Sequence, residues 1–415
     1  MKNFEPVRGT QDYIPKEMQQ RNFIYDIIKS VYTKNGFLQI KTPILEDLDL
    51  MLGSEGGDNV KLMFKVLKRG EKLDLSKDNL SIKDVSDLAL RYDLTVPLAR
   101  FFANNRNFLP MPFKALQIDE AFRADRPQRG RKRQFTQCDI DILGDPSINA
   151  EIELLVCGGE ALTCLGFKNF VFKINNRKVL NQLIINNGFY PNQCEDICVV
   201  LDKYDKIGYE GVKNELLLEN YNAASVTSLI ETIVDIKENG FDALNKYLEE
   251  NDDIINMKKL IESVNAFSDG LYTACFDISI IRGQGYYTDC VFEVYLDGFE
   301  GACGGGGRYN KMIGKITKQD CPAVGFSLGF ERLFTIINEN DFCLNAVPKA
   351  AVIYAKDDDF VDVKRYADSL KKDYDIAIMP RANNLGHQLE LLRDNCFAYF
   401  TIFGTNEINQ LGIRE

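Results

Sequence analysis

Eleven consecutive residues, Arg123 to Arg133, carry six positive charges and one negative, Asp125, inside a chain whose net charge is −11. Strand-like segments flank them: Phe113 to Ile118 comes before, and Gln134 to Ile142 follows, with Phe135 through Asp141 alternating inward and outward positions. Pro127 and Gly130 mark a turn between the two arms, so the pattern reads as a hairpin with a basic tip. Most charge runs are solvated loops, and that is the plain alternative here. A hairpin that sets arginines beside a strand is better suited to fixing phosphates, because guanidinium groups offer planar, multidentate donors. Further β-like runs at Phe37 to Ile44, Phe170 to Ile174, Thr288 to Leu296 and Ala323 to Phe326 predict that the hairpin belongs to an antiparallel sheet flanked by helices.

The remaining pattern changes divide the chain. Lys16 to Asn35 has helical spacing, with Phe23, Ile24, Ile27, Ile28 and Val31 on one face, and Gly36 ends it. From about Asn176 to Phe267 the sequence is mostly helical in pattern and rich in Lys, Glu, Asn and Leu, which reads as an insertion. After Pro348 an apolar strand at Ala350 to Tyr354, a helix near Phe360 to Lys371, a strand at Ile376 to Met379, another helix and Phe397 to Phe403 predict a small α/β domain with a partly parallel sheet. The expected fold class is thus α/β, with an α+β domain in two parts, 1–175 and 268–340, a helical insertion at 176–267 and a short C-terminal α/β domain at 348–415.

Composition narrows the chemistry. No apolar run approaches the roughly 20 residues that span a bilayer, and Met1 to Gly9 holds no signal core, so no membrane segment is expected and the cytoplasm is the expected compartment. Eleven cysteines scattered singly read as reduced thiols, and Cys194 with Cys198 lacks a second Cys or His pair for zinc; no dedicated metal ligands are expected. The single histidine, His387, confines imidazole acid–base catalysis to that position, where a structural or surface role is the expectation.

The segment FRADRPQRGRKRQFTQCDID, Phe122 to Asp141, resembles the second signature motif of class II aminoacyl-tRNA synthetases in its histidyl form. GFLQIKTPILE, from Gly36 to Glu46, resembles the first motif, whose helix, strand and proline (Pro43) form a dimer interface in that class. PAVGFSLGFERL, from Pro322 to Leu333, resembles the third, with Arg332 at its arginine position. RGQGYYTD at Arg282 to Asp289 and GGGGRYN at Gly304 to Asn310 are similar to stretches specific to the histidyl family, and RGTQDYIP at Arg8 to Pro15 extends the likeness over nearly the whole chain. Gln284-Gly285, Asp289 and Asn310 depart from the residues many members carry there.

That resemblance implies an ATP-dependent, Mg²⁺-assisted ligase, a homodimer acting on histidine and its tRNA. Histidine carboxylate would attack the α-phosphate of ATP, a step between two anions that needs charge stabilisation and no general base. The implied ATP site comprises Arg123 and Arg282 on the α-phosphate, Arg131 on the outer phosphates, Asp125, and Phe135 and Arg332 on the two faces of adenine. The implied histidine site comprises Asp93, Thr95 and Gln137 for the ammonium, Asp141 and Tyr287 for the imidazole, and Tyr309 closing the pocket. Arg126, Arg129 and Lys132 are left to face the tRNA acceptor stem, and a phosphate oxygen of the adenylate is the proposed proton acceptor in the transfer step. Asp93 has a plainer reading as the ion-pair partner of Arg91 or Arg100, and Phe135 as a core residue. Rival functions are a non-catalytic, histidine-binding paralogue serving as a regulatory subunit in histidine biosynthesis, an RNA-binding scaffold, and a synthetase for another amino acid.

Overall fold

The structure is a computed structural model that describes residues 4–54, 59–76, 79–281, 287–339, 347–405 and 407–412. The chain begins with helix α1 (Pro15–Lys34), strands β1 (Leu38–Gln39) and β2 (Leu45–Asp47), short helices α2 (Leu48–Ser54) and α3 (Asn59–Leu62), strand β3 (Lys65–Leu67), helix α4 (Ile82–Val85) and strand β4 (Ser86–Leu90). Helix α5 (Thr95–Asn105) leads into the hairpin strands β5 (Phe113–Phe122) and β6 (Gln134–Leu143), followed by α6 (Asn149–Cys164) and β7 (Phe170–Asn176). Five helices come next: α7 (Arg177–Asn186), α8 (Cys194–Leu201), α9 (Tyr204–Leu218), α10 (Ala223–Tyr247) and α11 (Asp252–Phe267). Strands β8 (Tyr272–Phe276), β9 (Cys290–Tyr295) and β10 (Gly304–Arg308), helix α12 (Asn310–Thr317), strand β11 (Ala323–Gly329) and helix α13 (Phe330–Glu339) complete this part. The last stretch is β12 (Lys349–Tyr354), α14 (Phe360–Leu370), β13 (Asp375–Pro380), α15 (Leu385–Asp394), β14 (Phe397–Ile402) and β15 (Asn409–Gln410).

Contacts divide the chain into two compact units, one of Met1–Thr10 with Ile24–Ile336 and another of Gln11–Phe23 with Ile337–Glu415. The first unit is built on an eight-stranded sheet in the order β1-β5-β6-β11-β10-β9-β7-β8. All inner pairs are antiparallel, and only the outermost pairs, β1 with β5 and β7 with β8, run parallel. Phe37 to Ile44 contributes less strand than expected: only Leu38–Gln39 pairs with β5 before the chain reaches Pro43, which has no N–H to donate. Past Pro43 the chain enters a separate three-stranded sheet, β2-β4-β3, that the sequence pattern does not reveal.

One face of the large sheet is covered by helices. Phe172, Phe292 and Phe326 project there, fully buried, and Phe326 closes on α6 at Gly158, where an added Cβ would lie 2.4 Å from its ring. Small residues on α6 therefore set how close helix and sheet can come. Helix α1 buries Ile24, Ile28, Val31 and Tyr32 at the expected helical spacing, and Gly36 ends the turn that follows with φ +83°. The second unit carries a four-stranded sheet, β13-β12-β14-β15, parallel except for β14 with β15, and its buried residues Ala351, Ile353 and Leu392 on one side and Val352, Val363 and Ala367 on the other make two small cores. A partly parallel α/β sheet is what the alternation after Pro348 predicts. Among the described residues, no helix is long and apolar enough to cross a membrane.

Candidate functional site

The sheet face opposite α6 floors a cleft of about 680 Å³. Its geometry begins with strand alternation. Phe135, Gln137, Asp139 and Asp141 stand on the same side of β6, every second residue, and all four line the cleft. The neighbouring strands must leave room for them. β11, paired with β6, does so with Gly325, where an added Cβ would lie 2.0 Å from Oδ1 of Asp141, and β10 beyond it floors the cleft with glycines from a run of four. A Cβ on Gly306 would approach the carbonyl of Gly325 to 1.9 Å. The glycine run is thus a strand, although glycine is a poor strand former, because backbone is all that fits between its neighbours and the side chains above.

At the buried end of the cleft the structure gathers Asp93, Thr95, Gln137, Asp139, Asp141, Tyr287 and Tyr309. Asp93 precedes α5 and its Oδ1 accepts the backbone N–H of Val96 at 3.2 Å, so the helix start holds one carboxylate oxygen in place. It pairs with neither arginine of the plainer reading: Arg91 is fully buried against Asp119 at 2.8 Å, and Arg100 makes a two-point contact with Glu46 at 2.8 and 2.6 Å. The hydroxyl of Tyr309 donates to Oδ1 of Asp141 at 2.5 Å. Tyr309 is itself set by the preceding residue, Arg308, whose guanidinium grips Glu151 of α6 through two buried contacts of 2.6 and 2.5 Å. Behind these groups Tyr92, Val96, Phe102, Tyr287, Tyr309 and Met312 form an apolar wall.

Three acceptors at this end, Asp93 Oδ2, Gln137 Oε1 and Asp141 Oδ2, are buried and have no hydrogen-bond partner within the protein. Burial pushes the carboxyl of Asp93 up, opposed by the N–H groups of Val96 and Thr95 and by Arg123. Burial, then the charge of Asp139, hold Asp141 well above the usual carboxylate range, while Tyr309 works in the other direction. Burial likewise carries Asp139 up to about 7, and Asp93 adds to the rise. Unsatisfied buried carboxylates are costly, and a cationic, donor-rich ligand offsets that cost.

The outer part of the same cleft is basic. The guanidinium of Arg123 donates to the carbonyl of Tyr92 at 3.0 Å and lies 4.2 Å from the Tyr92 ring and 5.1 Å from the Phe135 ring. Phe135 is half-buried and lines the cleft, as do Asp125, Arg131 and Arg332. Arg332 lies over Phe299, at 5.6 Å, and Arg129 lies over the same ring at 4.8 Å while donating to the carbonyl of Gly298 at 3.3 Å. Gly130 takes a positive φ, +67°, directly against Phe299, where a Cβ would meet the ring at 2.7 Å. Arg126 and Arg131 are exposed, whereas Lys132 is mostly buried and pairs with Glu331 at 3.3 Å. Arg282 lies outside the described residues, as do Gln284 and Gly285.

Two departures from the family pattern have local explanations. The extra charge of Asp289 is met by Lys178 at 2.5 Å and by the amide of Asn176 at 2.7 Å. Asn310 accepts the N–H of Ala323 at 3.1 Å through its side-chain oxygen. Elsewhere, His387 is exposed on α15 beside Glu390, and Cys194 and Cys198 are buried near Asn181. Among the cleft residues that escape the reading of the sequence are Asp139, Phe299 and Lys206 of the helical stretch. Only Asp139 was within its reach, since period two places it between Gln137 and Asp141. Phe299 sits in a loop without pattern, and Lys206 reaches the cleft through tertiary packing.

Both the sequence and the fold are similar to those of known proteins. The sequence profile described as histidyl-tRNA synthetase matches residues 9–333. The histidine–tRNA ligase of Leifsonia xyli is 40% identical over 80% of this chain and 80% of its own length. That of Cytophaga hutchinsonii is 33% identical over 97% and 93%. The crystal structure of histidyl-tRNA synthetase from a Nostoc species superposes with a TM-score of 0.77 at 25% identity, covering 99% of this chain and 95% of that one.

Proposed function

The chain belongs to the histidyl-tRNA synthetase family, and on that premise we propose how its cleft divides histidine–tRNA ligation among named residues. The activity is that of the family: histidine and ATP give histidyl-adenylate and pyrophosphate, and the histidyl group then passes to the 3′ end of tRNA. The observation that carries the division is the set of three unpartnered acceptors, Asp93 Oδ2, Gln137 Oε1 and Asp141 Oδ2, at the buried end of a cleft whose outer end is lined with arginine. Histidine supplies what those acceptors lack, an ammonium with three N–H donors and an imidazole with N–H.

In this reading Asp93, Gln137 and Thr95 take the ammonium, and Asp141, braced by Tyr309, takes an imidazole N–H with Tyr287 beside it. The carboxylate then points toward Arg123. There its oxygen attacks the α-phosphorus, the bond to the β-phosphate oxygen breaks, and pyrophosphate leaves; no proton moves. Arg123, with Arg282 by family resemblance, steadies charge on the transferring phosphoryl, and Arg131 meets the outer phosphates. Asp125 borders the ATP site, and Phe135 and Arg332 take the adenine. Glu293 and Glu300, oxygen donors lining the same cleft, would face a largely hydrated Mg²⁺ arriving with ATP, which would neutralise charge on the phosphates. In the second step the ribose hydroxyl of tRNA attacks the activated carbonyl, the bond to the phosphate oxygen of AMP breaks, and that phosphate takes the hydroxyl proton. Arg126, Arg129 and Lys132 border the tRNA path, the work is cytoplasmic, and the segment from Gly36 to Glu46 pairs two copies of the chain.

Exchange of labelled pyrophosphate into ATP, measured with each amino acid separately, tests the reading. Exchange is expected with histidine and not with others. Folded protein that exchanges with no amino acid, or as well with another as with histidine, overturns it.

A further inference from the structure

Asp139 is used by none of these steps, although it stands between Gln137 and Asp141 on the cleft side of β6 and is only 4% exposed. Its register partners on the adjacent strands are Gln117 and Ser327. Gln117 is committed elsewhere, donating to the carbonyl of Leu94 at 3.0 Å and accepting from Thr42 at 3.3 Å. The Ser327 hydroxyl favours the charged form of the Asp139 carboxyl. Gln137 directs its amide nitrogen at the same group, 3.4 Å from Oδ1 and 3.5 Å from Oδ2 of Asp139 and 3.4 Å from the Ser327 hydroxyl. An amide has a donor end and an acceptor end, and anchoring the first decides where the second points. The Gln137 oxygen is the one left without a partner.

We propose that Asp139 is a positioning residue for histidine recognition: its carboxylate holds the Gln137 NH₂, so that the Gln137 carbonyl is presented to the substrate ammonium in company with Asp93. This rests on the cleft being the histidine site. An amide turned the other way would set N–H donors against an ammonium, which accepts nothing.

The assignment carries a pH signature. The charged and titratable groups that bear on Asp139 are Asp93 before α5, Arg123 at the end of β5, Asp141 on its own strand, Tyr309 after β10 and Tyr32 of α1. Both tyrosines are held well above their ordinary value by burial and stay neutral through neutral pH. Asp139, pushed up to about 7, keeps its proton below that pH and loses it above. The ionised form suits an ammonium-binding site, so histidine binding below pH 7 expels a proton, and histidine affinity gains as pH rises from 6 to 8.

The experiment is histidine-dependent pyrophosphate exchange by wild type and Asp139→Asn at pH 6, 7 and 8. At pH 8 the variant is expected to raise KM for histidine about tenfold, the worth of one hydrogen bond involving a charged group, with KM for ATP and kcat changed less than about twofold. The variant-to-wild-type ratio of KM should shrink toward one at pH 6. Titration of the substrate's own groups cancels in that ratio. In a Gln137→Ala background the same substitution should add less than about twofold, since Asp139 acts through Gln137. A ratio flat from pH 6 to 8, or a full additive effect without Gln137, overturns the proposal. If Asp139→Asn does not fold, Ser327→Ala should raise KM for histidine in the same direction by less, and no change there overturns it as well. Failure of the parent reading is separate, because it appears as wild-type protein that shows no exchange with histidine.

Discussion

The inner and outer ends of the β5–β6 hairpin come from one continuous segment and are built on opposite terms. At the inner end Asp139 and Asp141 are buried with Asp93 among apolar walls, and oxygens there lack partners. At the outer end Arg126, Arg129 and Arg131 are exposed around a turn with a net charge of +5 from Arg123 to Arg133. Exposed charges act through a field that salt cuts off within about 8 Å at physiological strength, so small displacements there matter little. Buried acceptors act only through contact, and a partner misplaced by an ångström leaves the cost of burial uncompensated. On the proposed division of the cleft, the inner end decides which amino acid is taken, while the outer end draws in phosphate of any origin.

Arg123 stands at the boundary between the two, half-buried between the rings of Tyr92 and Phe135. Its removal should give the largest effect. Arg123→Ala is expected to lower kcat for pyrophosphate exchange by about 10²–10³-fold, as loss of one preorganised charge-stabilising donor does, while calorimetry still detects histidine binding. A fall of less than about tenfold would put the boundary elsewhere.

The inner end is probed next by Asp141→Asn, for which KM for histidine should rise roughly ten- to a hundredfold, with ATP binding little changed. The same variant separates function from stability. A carboxyl whose pKa is raised on folding contributes its stability below the unfolded value and loses it as pH rises through the folded one, so at pH 8, where the unfolded chain carries this side chain ionised, Asp141 is a burden to the free protein. Asparagine removes that charge and still accepts the hydroxyl of Tyr309. The variant should accordingly melt no lower than wild type at pH 8 despite its poorer use of histidine. A lower melting temperature would mean that Asp141 serves the fold more than the ligand.

These contrasts explain what could be read from the sequence. The hairpin, α1 and the C-terminal β-α-β alternation are local patterns of period two or 3.6 closed by Gly or Pro, and they appear in the structure within a few residues of the expected bounds. The Gly304–Arg308 strand is invisible to propensity, because its glycines answer to Ser327, Gly325 and Tyr287 on other segments. The charge excess from Arg123 to Arg133 is legible in the sequence without help, and the proposal of an anion site starts from it. Choosing Asp93 over its ion-pair alternatives required seeing Arg91 against Asp119 and Arg100 against Glu46, contacts between residues 28 and 54 positions apart. The pairing of Lys132 with Glu331 spans still more of the chain and could not have been anticipated from a basic run.

The smallest expected effect lies at the tip of the hairpin and bears most directly on the contrast. Arg126 is exposed, and unlike Arg129 it is not stacked on Phe299 among the described contacts. If it serves only the polyanion field, Arg126→Ala should weaken tRNA binding about fivefold at 0.15 M salt, the counterion-release worth of one phosphate contact, and lower the salt slope of log K by about one. Histidine-dependent exchange without tRNA should be unchanged. Arg129→Ala makes the sharper control, since it also frees the Phe299 ring that Arg332 covers and should raise KM for ATP. Equal, purely tRNA-linked effects from both substitutions would show that Phe299 does not couple the turn to the nucleotide, and that the outer end is a uniform surface charge. A change in exchange caused by Arg126→Ala would break the contrast from the other side, because an exposed arginine at the tip would then be acting inside the cleft.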